Sequence, residues 1–421
     1  MGSDILREDM LVLLSTMGVE LPENTKIPDD GLNKLLLQAL DASQRFTDLL
    51  KTAPFNPSEY HRWKSPKPLL EAVSRGNLTE AFENAMSGNK ARGTSTAKED
   101  TFREVRQILL ALSMHYDQGT RDFVLLDTTE EWGIVIRIVD LFSLPFGDLE
   151  QTDVPIFGLL YKVVNRTNKL TLYERLNQMF NESIVSISTT ELERKTMLKL
   201  FVLNGKRLSS EYKPRRNAKE DSHRLSFLLP LGPLNMRDLG KLNNLPGCEI
   251  CGKRVTSRCT QCLTVSYCGT ECQREDWKVH KQRCRSLKGG TWHTLTFEKN
   301  YGSPGLVASR LVVNRFDSAH DTQSMIENDL GVPPIDIHGE KPFLIKLQIA
   351  LHQFGDDASM LVYDRQKSFQ AYWKKSADRD IFTEGQKAMT GNLKIYRWAR
   401  RVGDYQLSVC FDRAPEKNPV W

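Results

Sequence analysis

Seven of the eight cysteines of this 421-residue chain lie within 37 residues, between positions 248 and 284. A thiol cluster this local, in a compartment that keeps cysteines reduced, is typical of metal binding rather than of disulfides. The N-terminus lacks a basic stretch followed by an apolar one, and no run of 18 apolar residues occurs. We therefore expect an intracellular protein, nuclear or cytoplasmic, that binds metal and makes no membrane contact.

The cysteine cluster offers eight ligands, because a histidine joins the seven thiols. The spacing is C-x2-C-x7-C-x2-C-x5-C-x3-C-x7-H-x3-C, and the ligands are Cys248, Cys251, Cys259, Cys262, Cys268, Cys272, His280 and Cys284. Eight such ligands form two tetrahedral sets, which suits zinc, whereas an iron–sulfur cluster would not require eight ligands ending in His-x3-Cys. Because closed sets leave no position for water or substrate, the sequence predicts two structural zinc ions per chain.

The spacing alone does not decide which ligands share an ion. A sequential pairing would join the first four ligands and then the last four. An interleaved pairing would use Cys248, Cys251, Cys268 and Cys272 for the first zinc, and Cys259, Cys262, His280 and Cys284 for the second. Each pairing gives one four-thiolate site and one site of three thiolates and a histidine, so spacing leaves both open.

The segment CEICGKRVTSRCTQCLTVSYCGTECQREDWKVHKQRC resembles a MYND-type zinc finger over its full length. The matching elements are S-Y-C, E-C-Q, D-W and H-K-x-x-C. MYND fingers interleave their two zinc sites, so the resemblance implies the interleaved pairing. The flanking regions are similar to those of fungal MYND proteins, which bring no known activity with them.

The resemblance also implies a partner, since MYND fingers are chiefly protein-interaction modules that bind proline-containing peptides in a shallow groove. It places the peptide contacts near Ser266, Tyr267, Gln273 and Trp277. A strand edge can pair with an extended peptide, and an indole offers a flat apolar surface to proline. Trp277 shares a helical stripe with His280, so packing over the second zinc site is an equally good interpretation of this side chain.

Helical periodicity dominates the first 240 residues of the chain. Thr190 and Glu193 form a capping-box pattern, and Thr270 with Gln273 forms another within the finger. The predicted helices of the N-terminal half lie at 31–46, 100–116, 130–142 and 192–203. We therefore predict a mostly α-helical N-terminal half.

The sequence pattern changes after the cysteine cluster, from helical spacing to alternation. Strands are predicted from 343 to 351 and from 360 to 364, and a hairpin is predicted around Gly403. Three aromatic residues at helical spacing predict a helix at 367–375. The predicted fold is multidomain, with a helical domain at 1–240, a MYND zinc finger at 245–287 and an α+β domain at 290–421.

Nucleic-acid binding is one alternative function of the finger. Nine basic and four acidic residues give the segment from 245 to 288 a formal charge of +5. Seven thiolates and two zinc ions add −3, so the metallated segment carries about +2. A solvated basic face therefore explains these residues better than phosphate contacts. The candidate phosphate contacts are Arg254, Arg258, Lys278, Lys281, Arg283 and Arg285.

Catalysis is the other alternative. MYND fingers occur inside SET-type lysine methyltransferases, but those enzymes carry an Asn-His-Ser/Ala-Cys segment and a later cysteine-rich zinc site. Here no N-H-x-C segment occurs, and Cys410 is the one cysteine beyond Cys284. The phosphate-loop, dinucleotide and nucleophile-elbow motifs are also missing. We predict a non-enzymatic adaptor, with transcriptional regulation as a candidate process; the alternative is a regulatory finger on an enzyme with a C-terminal catalytic domain.

Overall fold

The structure is a computed structural model of the chain. It describes residues 4–22, 24–44, 50, 54–64, 68–74, 101–145, 153–167, 170–180, 183–217, 220–234, 236–243, 247–254, 256–262, 264–297, 333–334, 336–339, 341–349, 358–365, 368–389 and 392–415. The chain divides into two compact units. Unit 1 comprises Met1–Val19 with Asp29–Leu234, and unit 2 comprises Glu20–Pro28 with Asn235–Trp421. The bounds of the three predicted domains stay a prediction.

Unit 1 contains helices that flank a sheet. Its described helices are α1 (Arg7–Thr16), α2 (Asp29–Ser43), a 3-10 turn (Pro57–Glu59), α3 (Leu69–Ser74), α4 (Thr101–Asp117), α5 (Leu172–Met179) and α6 (Glu191–Gly205). The helices predicted at 31–46, 100–116 and 192–203 are confirmed as α2, α4 and α6, except for positions 45, 46 and 100, which lie outside the described residues. The Thr190 side chain accepts from the Glu193 amide while the Glu193 carboxylate accepts from the Thr190 amide, so this capping box forms.

The sheet of unit 1 has six described strands, in the order β5-β2-β3-β4-β6, with β1 paired to the end of β3. They are β1 (His61–Arg62), β2 (Asp122–Leu126), β3 (Trp132–Leu144), β4 (Val154–Asn165), β5 (Val185–Ser188) and β6 (Arg224–Leu228). The β2–β5 pair is parallel and the others are antiparallel. The N-terminal half is therefore a mixed α/β unit.

The prediction of a mostly helical N-terminal half is wrong, and the segment 130–142 shows why. This segment forms the central strand β3 instead of a helix. Ile134 and Ile136 are buried, and so is Val135 between them, because both faces of β3 are covered. A strand buried on both faces loses the alternation that distinguishes it from a helix, and its β-branched residues were the remaining signal.

An ion pair in unit 1 is almost wholly removed from water. The Arg194 side chain is 0% exposed, and its Nη2 donates to Asp127 Oδ2 at 2.6 Å. Its guanidinium lies 4.3 Å from the ring centroid of Trp132. Asp127 lies between β2 and β3, so this pair connects α6 to the turn that joins two central strands.

We expect unit 1 to lose stability in acid through Asp127. Burial raises the pKa of this carboxyl, but hydrogen bonds from Arg194 and Thr129 outweigh burial and lower the pKa to about 2. An unfolded-chain aspartate has a pKa of about 3.9. The depressed folded pKa stabilises the native state above pH 4 and loses this contribution, about 2–3 kcal/mol, as pH falls from about 4 to about 2. Urea unfolding measured at several pH values checks this, and Asp127→Asn should remove this part of the pH dependence.

Unit 2 contains a six-stranded antiparallel sheet in the order β12-β11-β10-β13-β14-β9 and a two-stranded ribbon, β7-β8. The helices described there are α7 (Met236–Asn243), α8 (Thr270–Leu287) and α9 (Arg379–Ala388). The strands are β7 (Ser257–Arg258), β8 (Ser266–Tyr267), β9 (Trp292–Thr296), β10 (Phe343–Ile349), β11 (Ser359–Asp364), β12 (Gln370–Lys374), β13 (Lys394–Gly403) and β14 (Gln406–Cys410). The strands predicted near 343 and 360 and the hairpin around Gly403 are confirmed.

The helix predicted at 367–375 is wrong, because Gln370–Lys374 within this segment forms the edge strand β12, while residue 367 lies outside the described residues. Trp373 is 1% exposed and packs against Phe382 of α9, with ring centroids 5.1 Å apart, and against Phe411 at 5.7 Å. Aromatic side chains favour a pleated, half-buried surface, so their helical spacing was a weaker signal than their residue type. Within the described residues, no helix combines the length and apolar character that crossing a membrane requires.

Candidate metal centre

The first pair of cysteines lies on a tight backbone turn. The Gly252 amide donates to the Cys248 carbonyl at 2.9 Å, and the Cys248 amide donates to the Lys253 carbonyl at 2.8 Å. Gly252 has a φ of +72°, a conformation that glycine adopts without steric cost. This turn places Cys248 and Cys251 on the same side of the chain, which is why two residues separate the paired thiols.

Helix α8 carries three further ligands, and its start differs from the prediction. The capping box of Thr270 and Gln273 does not form, because Gly269 is the N-cap and no side chain caps the helix. Thr270 is instead the first helical residue, so its hydroxyl lies outside the N-cap position. Cys272, His280 and Cys284 then lie along one helix.

The structure brings the eight ligands together in two sets of four. Within each set, the four ligand atoms lie within 4.8 Å of one another. In the first set, the Cys251 and Cys268 sulfurs are 3.5 Å apart. In the second set, the Cys259 and Cys284 sulfurs are 3.8 Å apart. The sets are Cys248, Cys251, Cys268, Cys272 and Cys259, Cys262, His280, Cys284. The two clusters are therefore interleaved, as the resemblance implied.

Histidine completes the second set in the protonation state that binds metal. His280 Nε2 lies 3.4 Å from the Cys259 sulfur and 3.5 Å from the Cys262 sulfur. Burial lowers the pKa of His280, which favours the neutral imidazole. All four residues of this set are buried, so an ion held there has no exchangeable water and serves the structure.

The thiols of each set differ in pKa: burial raises the pKa of Cys248, but hydrogen bonds outweigh burial and lower it to about 7, and the pKa of Cys259 is lowered in the same way, whereas other thiols resist ionisation. Burial, followed by the neighbouring Cys262 and Cys259 sulfurs, raises the pKa of Cys284 to about 12. Burial and the hydrogen bond with Cys268 likewise raise the pKa of Cys272. Thiols packed this closely cannot all become thiolates at neutral pH unless a cation lies among them. Sulfur-rich tetrahedral sets fit zinc, so the donor chemistry matches two structural zinc ions.

Comparison with known proteins agrees with this geometry. The family model for the MYND finger matches residues 248–284. These residues form a MYND finger. The match spans all eight ligands, and the two ligand sets within it fit two structural zinc ions.

Several curated proteins share part of the sequence. N-lysine methyltransferase SMYD2 of Rattus norvegicus is 32% identical over 115 residues, 25% of this chain and 25% of that protein. Tudor domain-containing protein 1 of Oryzias latipes is 46% identical over 40 residues, 10% of this chain and 4% of that protein. Ubiquitin carboxyl-terminal hydrolase 19 of Arabidopsis thaliana is 43% identical over 42 residues, 10% and 6% respectively.

The chain thus spans a quarter or less of the length of these relatives. The two shorter matches are about as long as the MYND finger itself. No solved structure matches the chain significantly.

The four residues expected to contact a peptide differ in exposure. Trp277 is 42% exposed and its ring centroid lies 6.0 Å from that of His280, so it covers the second ligand set and still faces solvent. Gln273 is exposed and Ser266 half-buried. Tyr267 is 4% exposed, and its hydroxyl donates to Asp276 at 2.6 Å. Their role in peptide binding stays a prediction.

Contacts from distant parts of the chain support the finger, and sequence reasoning did not find them. Buried residues of the finger form one apolar cluster with Trp398 and Cys410 of the sheet. Arg400 donates to the Cys262 carbonyl at 3.2 Å. Between the first two cysteine ligands, the Ile250 carbonyl accepts a hydrogen bond from the Lys26 amide at 2.7 Å. These partners are more than 100 residues apart in sequence, so no local pattern could have indicated them.

Proposed function

We propose that this protein is a non-enzymatic adaptor whose MYND finger binds proline-containing peptide segments of partner proteins in the nucleus or cytoplasm. The exposed indole of Trp277 is the observation that carries the proposal. A large aromatic ring held beside a closed metal site is rigid and only partly desolvated, which suits an apolar partner such as proline. Gln273 lies one helical turn before Trp277 and adds a polar group on the same stripe.

Trp277→Ala should weaken peptide binding at least tenfold, because interface tryptophans contribute about 2 kcal/mol or more when truncated. The measurement is fluorescence anisotropy of a labelled peptide of sequence Ala-Pro-Pro-Leu-Ala, with zinc content assayed on each protein. Val402→Ala is the matched control, since Val402 is a 53% exposed apolar side chain on strand β13. Equal affinity of Trp277→Ala and the unchanged protein, with two zinc ions retained, would contradict the adaptor proposal.

A lysine methyltransferase is a second candidate, and one observation favours it. The match to N-lysine methyltransferase SMYD2 covers 115 residues, whereas the finger covers 37. The shared segment therefore includes residues outside the zinc ligands. Incubating the protein with a radiolabelled methyl donor and lysine-containing peptides tests this candidate. The adaptor proposal expects no transfer of label above a protein-free control.

A further inference from the structure

A groove of about 660 Å³ lies in unit 2. One wall is α8, through Val279 and Arg283, and the facing walls include Leu21, Leu344 and Trp398. Trp277 does not line it. Its volume falls within the range of roughly 300–1,000 Å³ that is typical of ligand sites. We define it below as the α8 groove.

Most ionisable side chains of the α8 groove are already matched. They occur as pairs within hydrogen-bonding or ion-pair distance: Lys341 with Glu249 at 3.6 Å, Arg365 with Glu20 at 3.8 Å, His338 with Asp364 at 2.7 Å, and Asp276 with Tyr267 at 2.6 Å. His280 belongs to the second zinc set. The Lys341–Glu249 and Arg365–Glu20 pairs therefore cancel in charge, and the Asp276 carboxylate accepts a hydrogen bond from the neutral Tyr267 hydroxyl.

Arg283 is the basic side chain without an ion-pair or hydrogen-bond partner among the described residues that line the α8 groove. Its guanidinium carbon lies 5.9 Å from the ring centroid of Trp398, and it forms no ion pair within the described part of the chain. Trp398 is 7% exposed, and its Nε1 is a buried donor without a hydrogen-bond partner among the described residues. A guanidinium and an indole N–H that both lack a hydrogen-bond partner among the described residues favour an anionic acceptor, and a carboxylate matches the guanidinium fork.

The remaining lining is apolar and too extensive for a small acid alone. Val279 is 59% exposed at the groove. Leu21, Pro22, Phe343 and Leu344 also line it. A ligand that fills this space needs apolar groups on both sides of its carboxylate. An extended peptide with an acidic residue between apolar residues has this chemistry.

We propose that the α8 groove binds an acidic peptide segment of a partner protein, with an aspartate or glutamate on Arg283 and apolar neighbours against Val279 and Leu344. This second docking site does not depend on proline-peptide binding at Trp277. The two sites lie on different faces of α8, so one finger can hold two segments at once.

The test uses the full chain loaded with zinc and labelled with 15N at its seven tryptophan indoles. The probe is a capped peptide of sequence Ala-Leu-Glu-Leu-Ala, and Trp398→Phe identifies the Trp398 signal. We expect a saturable shift of that signal. Arg283→Gln should weaken the affinity at least tenfold. Arg274→Gln, which removes the same charge from an exposed position of α8 outside the groove, should leave the affinity unchanged.

Three results would overturn the proposal. The first is no shift of the Trp398 signal, and the second is equal binding of the twin peptide with glutamine in place of glutamate. The third is binding of citrate as tight as that of the peptide, which would assign the groove to small acids. Trp277→Ala should leave acidic-peptide binding intact, so failure here and failure of the proline-peptide site give different results.

Discussion

Replacing Cys259 by serine should reduce the zinc content from two ions per chain to one and destabilise the six-stranded sheet of unit 2 together with the finger. Cys259 belongs to the second ligand set, in which all four residues are buried. It also belongs to the apolar cluster that contains Trp398 and Cys410. The described core residues of the finger are continuous with these sheet residues, so loss of the ion should propagate into the sheet.

The expected effect is large, because structural zinc supplies on the order of 10 kcal/mol of folding free energy to a finger. We expect the melting temperature of unit 2 to fall by at least about 10 °C. Differential scanning calorimetry of the full chain measures this change, and atomic emission counts the zinc. Zinc-free protein prepared with a chelator should show the same change and recover when zinc is returned.

Cys410→Ser is the matched control for this prediction. Cys410 is a buried thiol of the same apolar cluster but is not a member of either ligand set. The control should retain two zinc ions and lose about 1 kcal/mol of stability, because its side chain is smaller and more polar. A Cys259→Ser protein that keeps two zinc ions would contradict the ligand assignment. A variant that loses one ion but keeps the sheet's melting temperature would contradict the shared core.

Asp127→Asn should destabilise unit 1 by about 3–5 kcal/mol, the cost typical of leaving one partner of a buried ion pair uncompensated. The Arg194 side chain is 0% exposed, and its Nε and Nη1 have no hydrogen-bond partner among the described residues. The asparagine amide can still accept one hydrogen bond, but it no longer neutralises the guanidinium. The contact with the Trp132 ring is too weak to replace the carboxylate.

Urea unfolding of both variants in parallel provides the measurement. Asp29→Asn is the control, because Asp29 forms an exposed pair with Arg7 in the same unit, with side chains 67% and 33% exposed. An exposed pair of this kind contributes between 0 and about 1 kcal/mol. The prediction would be wrong if the two substitutions lowered the unfolding free energy equally.

The sequence by itself determined the chemistry of the metal centre. Cysteine and histidine spacing is a local property, and a short segment that needs a metal to fold must carry all its ligands within itself. The ligand set, the zinc count and, through the resemblance, the interleaved pairing were therefore predicted correctly. Elements with a clear period were also predicted, such as α4 and the hairpin around Gly403.

Only the tertiary structure decided which secondary structure two of the apolar segments adopt. Most of the segment 130–142 lies in a strand because both its faces are covered, and Gln370–Lys374 forms a strand in which Trp373 packs against α9. The same is true of the α8 groove and the Arg194–Asp127 pair. Their members are separated by tens to hundreds of residues in the chain, so only the fold brings them together, whereas a local pattern records neighbours along the chain.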